Sequence, residues 1–228
     1  MNTQDKANNM PLIGDVAPEF FANTTDGEMH FPNDYAGSWV ILFSHPSDFT
    51  PVCTSEFMSF QALYGDFKRL NTELVALSVG SISSHLAWIE AISKLNDGVG
   101  ISFPIIDDAG ANVARQYGMI HENADSTHTV RAVFIIDPDG IIRAVLYYPA
   151  TLGRNLTEIM RMLVGLQTAD KFGVATPANW IPGDDILIPS PQNTWGLMKT
   201  LEKSKDESWF MRFKPLGADI IYDTLTKH

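Results

Sequence analysis

Residues 40 to 70 constrain the fold more than any other stretch. The apolar run Val40 to Phe43, continued by Ser44, reads as a buried strand. A polar segment with Pro46 and Pro51 follows, and prolines so placed favour a turn and then a helix start. Phe57, Phe60, Leu63, Tyr64, Phe67 and Leu70 then recur at three- and four-residue spacing, which predicts a helix from Cys53 to about Leu70. Cys53 therefore falls in or beside a first helical turn. Free backbone N–H groups and the positive end of the helix dipole favour a thiolate there.

Leu74 to Val79 reads as a second buried strand. Ser83 or Ser84 then caps a helix carrying Leu86, Ile89, Ile92 and Leu95, ended by Asn96-Asp97-Gly98. Phe103 to Ile106 is a short apolar segment, and Ala111 to Tyr117 a brief helix ending at Gly118. Val133 to Ile136 and Ile141 to Tyr147 form a hairpin around Asp137-Pro138-Asp139-Gly140, which supplies proline at a turn corner and glycine where positive φ is wanted. Asn155 caps a further helix, with Glu158 in capping-box position and Leu156, Ile159, Met160, Leu163 and Leu166 as its buried face. Upstream, Pro11 to Phe31 is irregular apart from a short hairpin around Asp26-Gly27. The order β-α-β-α-β-(α)-β-β-α predicts an α/β fold with a mixed central sheet flanked by helices, the order of a thioredoxin-like core.

We expect three parts: a loose tail at 1–10, the thioredoxin-like domain at 11–170, and a small C-terminal arm at 171–228. In the arm, prolines become frequent after about Gly173. Ile186 to Ile188 reads as one strand, Thr194 to Leu201 as a helical turn or two, and Trp209 to Phe213 as another strand. So short a piece cannot build a good core alone. Its apolar residues, Trp180, Ile186, Trp195 and Phe210 among them, predict packing on its own core domain or on a second subunit.

The 228 residues carry 27 acidic and 16 basic side chains, a net charge of −11. That balance disfavours nucleic acid and anionic membrane surfaces as partners. The first ten residues are polar, and no apolar run approaches the ~20 residues of a spanning helix, so the expectation is a cytoplasmic protein. A single cysteine can make neither an intrachain disulfide nor a cysteine-rich metal site.

Cys53 has two readings, an inert buried thiol or a reactive one. Thr50 is a helix cap or a hydroxyl serving a thiolate and a polar substrate. Pro46 and Pro51 punctuate a loop or shield the sulfur from water. His45 is a structural histidine or a pocket residue. Arg131, just before the Val133 strand, is a solvated strand end or a fixed cation for a thiolate and an oxygen substrate. Arg154 raises the same question, and Glu56 is a candidate to orient one of the two arginines. His30, His85, His121, His128 and His228 read as scattered surface residues without metal-ligand spacing. Asp107-Asp108 reads as a solvated turn. No metal or cofactor is expected.

Phe-Thr-Pro-Val-Cys-Thr-Ser-Glu, residues 49 to 56, resembles the peroxidatic motif of the peroxiredoxins, the AhpC/TSA family. His-Pro-Ser-Asp before it is similar to the one-cysteine, mammalian six-type subgroup. Arg131-Ala-Val-Phe-Ile-Ile-Asp-Pro, Gly153-Arg154-Asn155 and the segment from Val174 to Asp184 carry the likeness to about residue 215. The resemblance implies a thiol-dependent peroxidase acting on hydrogen peroxide and organic hydroperoxides through a sulfenic acid at Cys53. It implies Thr50 and Arg131 as the groups orienting peroxide, Pro46 as a shield, and Arg154 with Glu56 as support. It also implies a homodimer, in some members joined into rings.

Two departures matter. Thr54-Ser55-Glu56 replaces the family's usual Thr-Thr-Glu, keeping a hydroxyl. Ala36-Gly37-Ser38-Trp39-Val40 lacks the framing glycines of a lipase-like element, so a phospholipase side activity is not supported. With no second cysteine, the sulfenic acid must be resolved by an external thiol reductant. The alternatives weighed against the enzyme are a peroxide sensor or redox-regulated chaperone using the same cysteine, and a non-catalytic thioredoxin-like scaffold.

Overall fold

The computed structural model describes residues 10–203 and 208–227. The tail expected at 1–10 thus lies almost wholly outside the described residues. The chain divides into two compact units, one ending at Leu156 and one beginning at Thr157.

The first unit is built on strands β1 (Phe20–Thr24), β2 (Gly27–Phe31), β3 (Trp39–Ser44), β4 (Thr72–Ser78), β5 (Ile105–Asp107), β6 (Arg131–Ile136) and β7 (Ile142–Tyr148). They form one seven-stranded sheet in the order β2-β1-β5-β4-β3-β6-β7. β3 runs parallel to β4 and β4 to β5; the other pairings are antiparallel. The sheet is therefore mixed, as expected. Helices α1 (Pro51–Arg69), α2 (Ile82–Leu95) and α3 (Asn112–Gln116) lie in its crossovers. The central strands β3 and β6 are buried at every position, which explains their continuous apolar spelling.

The register of β3 and β6 places the site. Phe43 pairs with Val133 and Leu42 with Phe134. The C-terminal end of β3 thus meets the start of β6, so Arg131 lies beside the loop that leaves β3. Ser44 ties the two strands there: its Oγ donates to Val130 O at 2.6 Å and accepts from Ala132 N at 3.0 Å. Beneath, Phe43 stacks on Phe60 with ring centres 4.2 Å apart, and Phe57 and Phe103 close the cluster.

Several expectations shift. β6 begins at Arg131 rather than Val133, so this arginine is a strand residue and not a flanking one. The cap of α2 is Ser81, which accepts from Ser84 N at 3.4 Å. The buried face of α2 is His85, Trp88 and Ile92, while Leu86 and Leu95 are 51% and 70% exposed. The pattern rotates because a histidine and a tryptophan occupy the inward positions. The Asp137–Gly140 turn forms as expected, with Gly140 N donating to Asp137 O and Gly140 at φ +77°.

In the second unit, α4 (Leu156–Phe172) buries Ile159, Leu163, Val164 and Thr168, with Met160 and Leu166 only half-buried. β8 (Ile186–Ile188) pairs with β9 (Arg212–Lys214), which starts later than the strand expected at Trp209. α5 (Thr194–Lys203) forms as expected. α6 (Ala218–Leu225) has no counterpart in the sequence reading; Ile221 and Leu225 are its buried residues. Trp180 is buried, its indole N–H donating to Asp184 O at 3.1 Å.

Candidate active site

Thr50 is the N-cap of α1, with extended backbone, and Pro51 is the first helical residue. Proline costs nothing there, because that N–H has no intrahelical partner anyway. Thr54 N donates to Thr50 O at 2.9 Å and closes the first turn, which sets Cys53 at the third helical position. Its backbone N–H is one of the donors a helix leaves unpaired. The Thr50 side chain does not cap the helix as one reading had it; its hydroxyl donates to Ser47 O at 3.0 Å.

The Cys53 side chain turns inward and is 0% exposed. Arg131 Nη1 lies 3.3 Å from Sγ and 2.7 Å from Glu56 Oε2. The rest of the Arg131 fork is held by Ala150 O, at 3.1 Å from Nε and 2.6 Å from Nη2. Arg154 grips the other side of Glu56: its backbone N and Nε donate to Oε1 at 2.8 and 2.9 Å, and Nη2 to Oε2 at 2.7 Å. Its Nη1 reaches Ser44 O and Ala132 O at 2.9 and 3.0 Å, and its guanidinium lies over Phe43 and Phe60. Neither arginine is a solvated end residue. Each uses its planar fork to bind several fixed acceptors, which lysine cannot do.

The buried cluster holds two guanidinium cations and one carboxylate. A charge taken out of water is tolerated only when paired and hydrogen-bonded in this way.

Burial pushes the Glu56 carboxyl up, but Arg154 and then Arg131 outweigh it and hold it below the usual carboxylate range. Its contribution to stability is present above that range and is lost as pH falls through the lowered folded value. Asp48 behaves alike: burial pushes it up, and hydrogen bonds from His45, His85 and Ser84 outweigh that. Denaturation midpoints taken from neutral pH into acid should therefore fall on an acid limb. Glu56→Gln should make that limb shallower; an unchanged slope would show that Glu56 carries no linked proton.

Of the remaining expected residues, Pro46 is half-buried in the loop after β3. His45 is fully buried and its Nε2 donates to Asp48 Oδ1 at 2.9 Å. Two residues read as surface features are not. His85 is fully buried, with Nδ1 on Asp48 Oδ2 at 2.8 Å. Asp108 is buried and accepts from the backbone N of Asn112, Val113 and Ala114, so it caps α3. His228 lies outside the described residues. Asp48 itself was overlooked, although its place three residues after His45 in His-Pro-Ser-Asp was a signal.

An open, mainly apolar groove of about 420 Å³ runs beside the first turn of α1, lined by Phe49, Thr50, Pro51, Met58, Trp88 and Leu95 among others. No helix among the described residues is long and apolar enough to cross a membrane.

Comparison with known proteins gives consistent matches. Residues 13–145 match the AhpC/TSA family model, and residues 165–200 match the C-terminal domain of 1-Cys peroxiredoxin. A peroxiredoxin of Methanosarcina mazei is 49% identical over 214 residues, 90% of this chain and 98% of its own length. One of Aquifex aeolicus is 46% identical over 213 residues, 89% and 96% of the two chains. Among solved structures, a yeast mitochondrial 1-Cys peroxiredoxin has a TM-score of 0.81 and 40% identity, covering 91% of this chain and 100% of its own. A cysteine-to-serine mutant of peroxiredoxin 6 of Arenicola marina has a TM-score of 0.79 and 36% identity, covering 90% and 97%. The mixed sheet with its flanking helices is the thioredoxin-like fold of these structures.

Proposed function

The chain belongs to the AhpC/TSA family and is a peroxiredoxin, a thiol peroxidase, and from that premise we propose that it runs a one-cysteine cycle on hydrogen peroxide and organic hydroperoxides. The observation that carries this reading is the contact of Arg131 Nη1 with the sulfur of the chain's single cysteine.

In the cycle, the Cys53 thiolate attacks one oxygen of the peroxide. The S–O bond forms as the O–O bond breaks, and the departing oxygen leaves as hydroxide or alkoxide and takes up a proton. Arg131 follows the negative charge as it moves from sulfur to the leaving oxygen, and Thr50 orients the peroxide. Pro46 shields the sulfur. Glu56 and Arg154 touch no reacting atom; they fix Arg131 in place. An external thiol then displaces hydroxide from the sulfenic acid, giving a mixed disulfide and water, and a second thiol releases the Cys53 thiol and a new disulfide.

The yeast mitochondrial 1-Cys relative is resolved via glutathione/thioredoxin systems, and we propose a reductant of that class. The apolar groove at Thr50 and Pro51 supports organic hydroperoxides as substrates beside hydrogen peroxide. We further assign the chain to the six-type subgroup, on His-Pro-Ser-Asp and the likeness to the Arenicola protein. We also propose a peroxidase domain at 11–170 and an arm at 171–228; the two family matches, at 13–145 and 165–200, follow in that order along the chain. Exposed Trp195, Met198 and Phe210 support a homodimer, and a cytoplasmic location completes the proposal.

The reading is tested by mass spectrometry of the reduced protein after one equivalent of peroxide, with and without glutathione. One added oxygen on Cys53, replaced by a glutathione adduct in the second sample, is expected. A stopped-flow rate no faster than that of a free thiol would instead leave Cys53 to the sensor or scaffold reading.

A further inference from the structure

We propose that Asp48 and His85 are positioning residues for the peroxide reaction, locking the 45–50 loop, and Thr50 with it, onto helix α2; this rests on the peroxidase reading above. The Asp48 side chain is only 6% exposed. Its carboxylate accepts three hydrogen bonds: from His45 Nε2 at 2.9 Å, His85 Nδ1 at 2.8 Å and Ser84 Oγ at 2.6 Å. His45 belongs to the same loop, whereas Ser84 and His85 belong to α2. The helix is itself anchored, with Ile82 N on Asp107 Oδ2 at 3.2 Å. One carboxylate thus joins the loop that leaves β3 to a fixed element.

The loop requires such an anchor. Phe49, next to Asp48, sits at φ +57°, a left-handed conformation that bulky residues rarely adopt. The residue is 58% exposed, so burial of its own side chain gives little to hold it there. Conformations of this kind persist where surrounding contacts over-determine them, and the three bonds to Asp48 are adjacent. Thr50 follows directly, so its hydroxyl inherits the geometry of the turn.

The imidazoles show what the arrangement costs. Each uses one ring nitrogen on Asp48, leaving His45 Nδ1 and His85 Nε2 buried with no hydrogen-bond partner among the described residues. A buried polar atom left unpaired is unfavourable, so the geometry of the pair is held at the expense of full hydrogen bonding. Burial, partly offset by Asp48, lowers the His45 pKa, with His85 and Arg154 acting in the same direction as burial. That favours a neutral ring with a single N–H to donate. The backbone closes over the other ring: a Cβ on Gly80 would lie 2.9 Å from His85 Cε1.

The test compares His85→Leu with His85→Asn, whose amide nitrogen sits off the γ-carbon as Nδ1 does and can donate to Asp48. Two rates are read for each variant: peroxide reduction by stopped flow, and reaction of Cys53 with a bulky aromatic disulfide. In His85→Leu the peroxide rate should fall about ten- to a hundredfold, the scale of a small misplacement near a reacting group. The disulfide rate should rise, because a released loop uncovers the sulfur. His85→Asn should restore both. A general loss of structure would not reverse with the amide, and circular dichroism checks for it. If His85→Leu does not fold, Gly80→Ala displaces the ring without removing it and should move both rates the same way. A wild-type peroxide rate in the leucine or alanine variant, or an asparagine variant as impaired as leucine, overturns the proposal alone. A wild-type protein that consumes no peroxide overturns the peroxidase reading with it.

Discussion

Cys53→Ser removes peroxide turnover down to the rate of buffer alone. The chain has one cysteine, so no other thiol can take over. A serine hydroxyl is not ionised at neutral pH, and its oxygen does not accept a second oxygen from peroxide. The fold should survive. Serine keeps an acceptor for Arg131 Nη1, which now stands 3.3 Å from Sγ, and Glu56 still pairs with both arginines. The stability cost should be about 1 kcal/mol, the centre of the distribution for point substitutions. Excess peroxide gives a second readout, because it should drive the wild-type sulfur from sulfenic to sulfinic acid. The nine methionines also take up oxygen, so the product must be localised by peptide mapping rather than by intact mass. Turnover that survives in Cys53→Ser would sink the assignment of the nucleophile, whatever the family.

How much of this was visible in the sequence depended on distance along the chain. The setting of Cys53 was legible because it is local: a buried strand, a turn, proline at the first helical position and an apolar period of three and four. The link to Arg131 was legible only through the family resemblance, not from the spacing of the residues. The two residues are 78 apart, and what joins them is the antiparallel register of β3 on β6, which periodicity does not specify. The same limit hid the role of Asp48. Its partner His85 lies 37 residues away, and a histidine in an amphipathic helix reads as a surface residue until its acceptor is known. With Trp88, that residue also turned the expected face of α2, since the inward row is His85, Trp88 and Ile92 rather than Leu86, Ile89, Ile92 and Leu95. Asp108 was misread for a related reason: an acidic pair looks solvated, yet one of its members serves three backbone donors at the start of α3. α6 went unnoticed because it is short and has neither a side-chain cap nor a long apolar row.

Arg131→Met and Glu56→Leu should fail in different ways, and the difference tests the division between acting and supporting groups. In Arg131→Met the carboxylate is still gripped by Arg154 through three donors at 2.7–2.9 Å, so the buried charge remains paired. The fold should persist, while the rate with peroxide should drop by about 10²–10³, the usual effect of removing one fixed donor to a developing anion. Arg131→Lys should not rescue it. The guanidinium uses Nε, Nη1 and Nη2 to meet Ala150 O, Glu56 Oε2 and Sγ together, and one ammonium nitrogen cannot stand in three places. Glu56→Leu instead leaves two buried guanidinium groups with no carboxylate between them. Breaking a buried pair by removing one partner costs about 3–5 kcal/mol, so this variant should show a large drop in denaturation midpoint, and its lost activity follows from lost structure. Stopped-flow rates and denaturant titrations on the same preparations separate the cases. An Arg131→Met protein close to the wild-type rate would remove Arg131 from the reacting centre. A Glu56→Leu protein as stable as the wild type would mean that the cluster is not held by its charges.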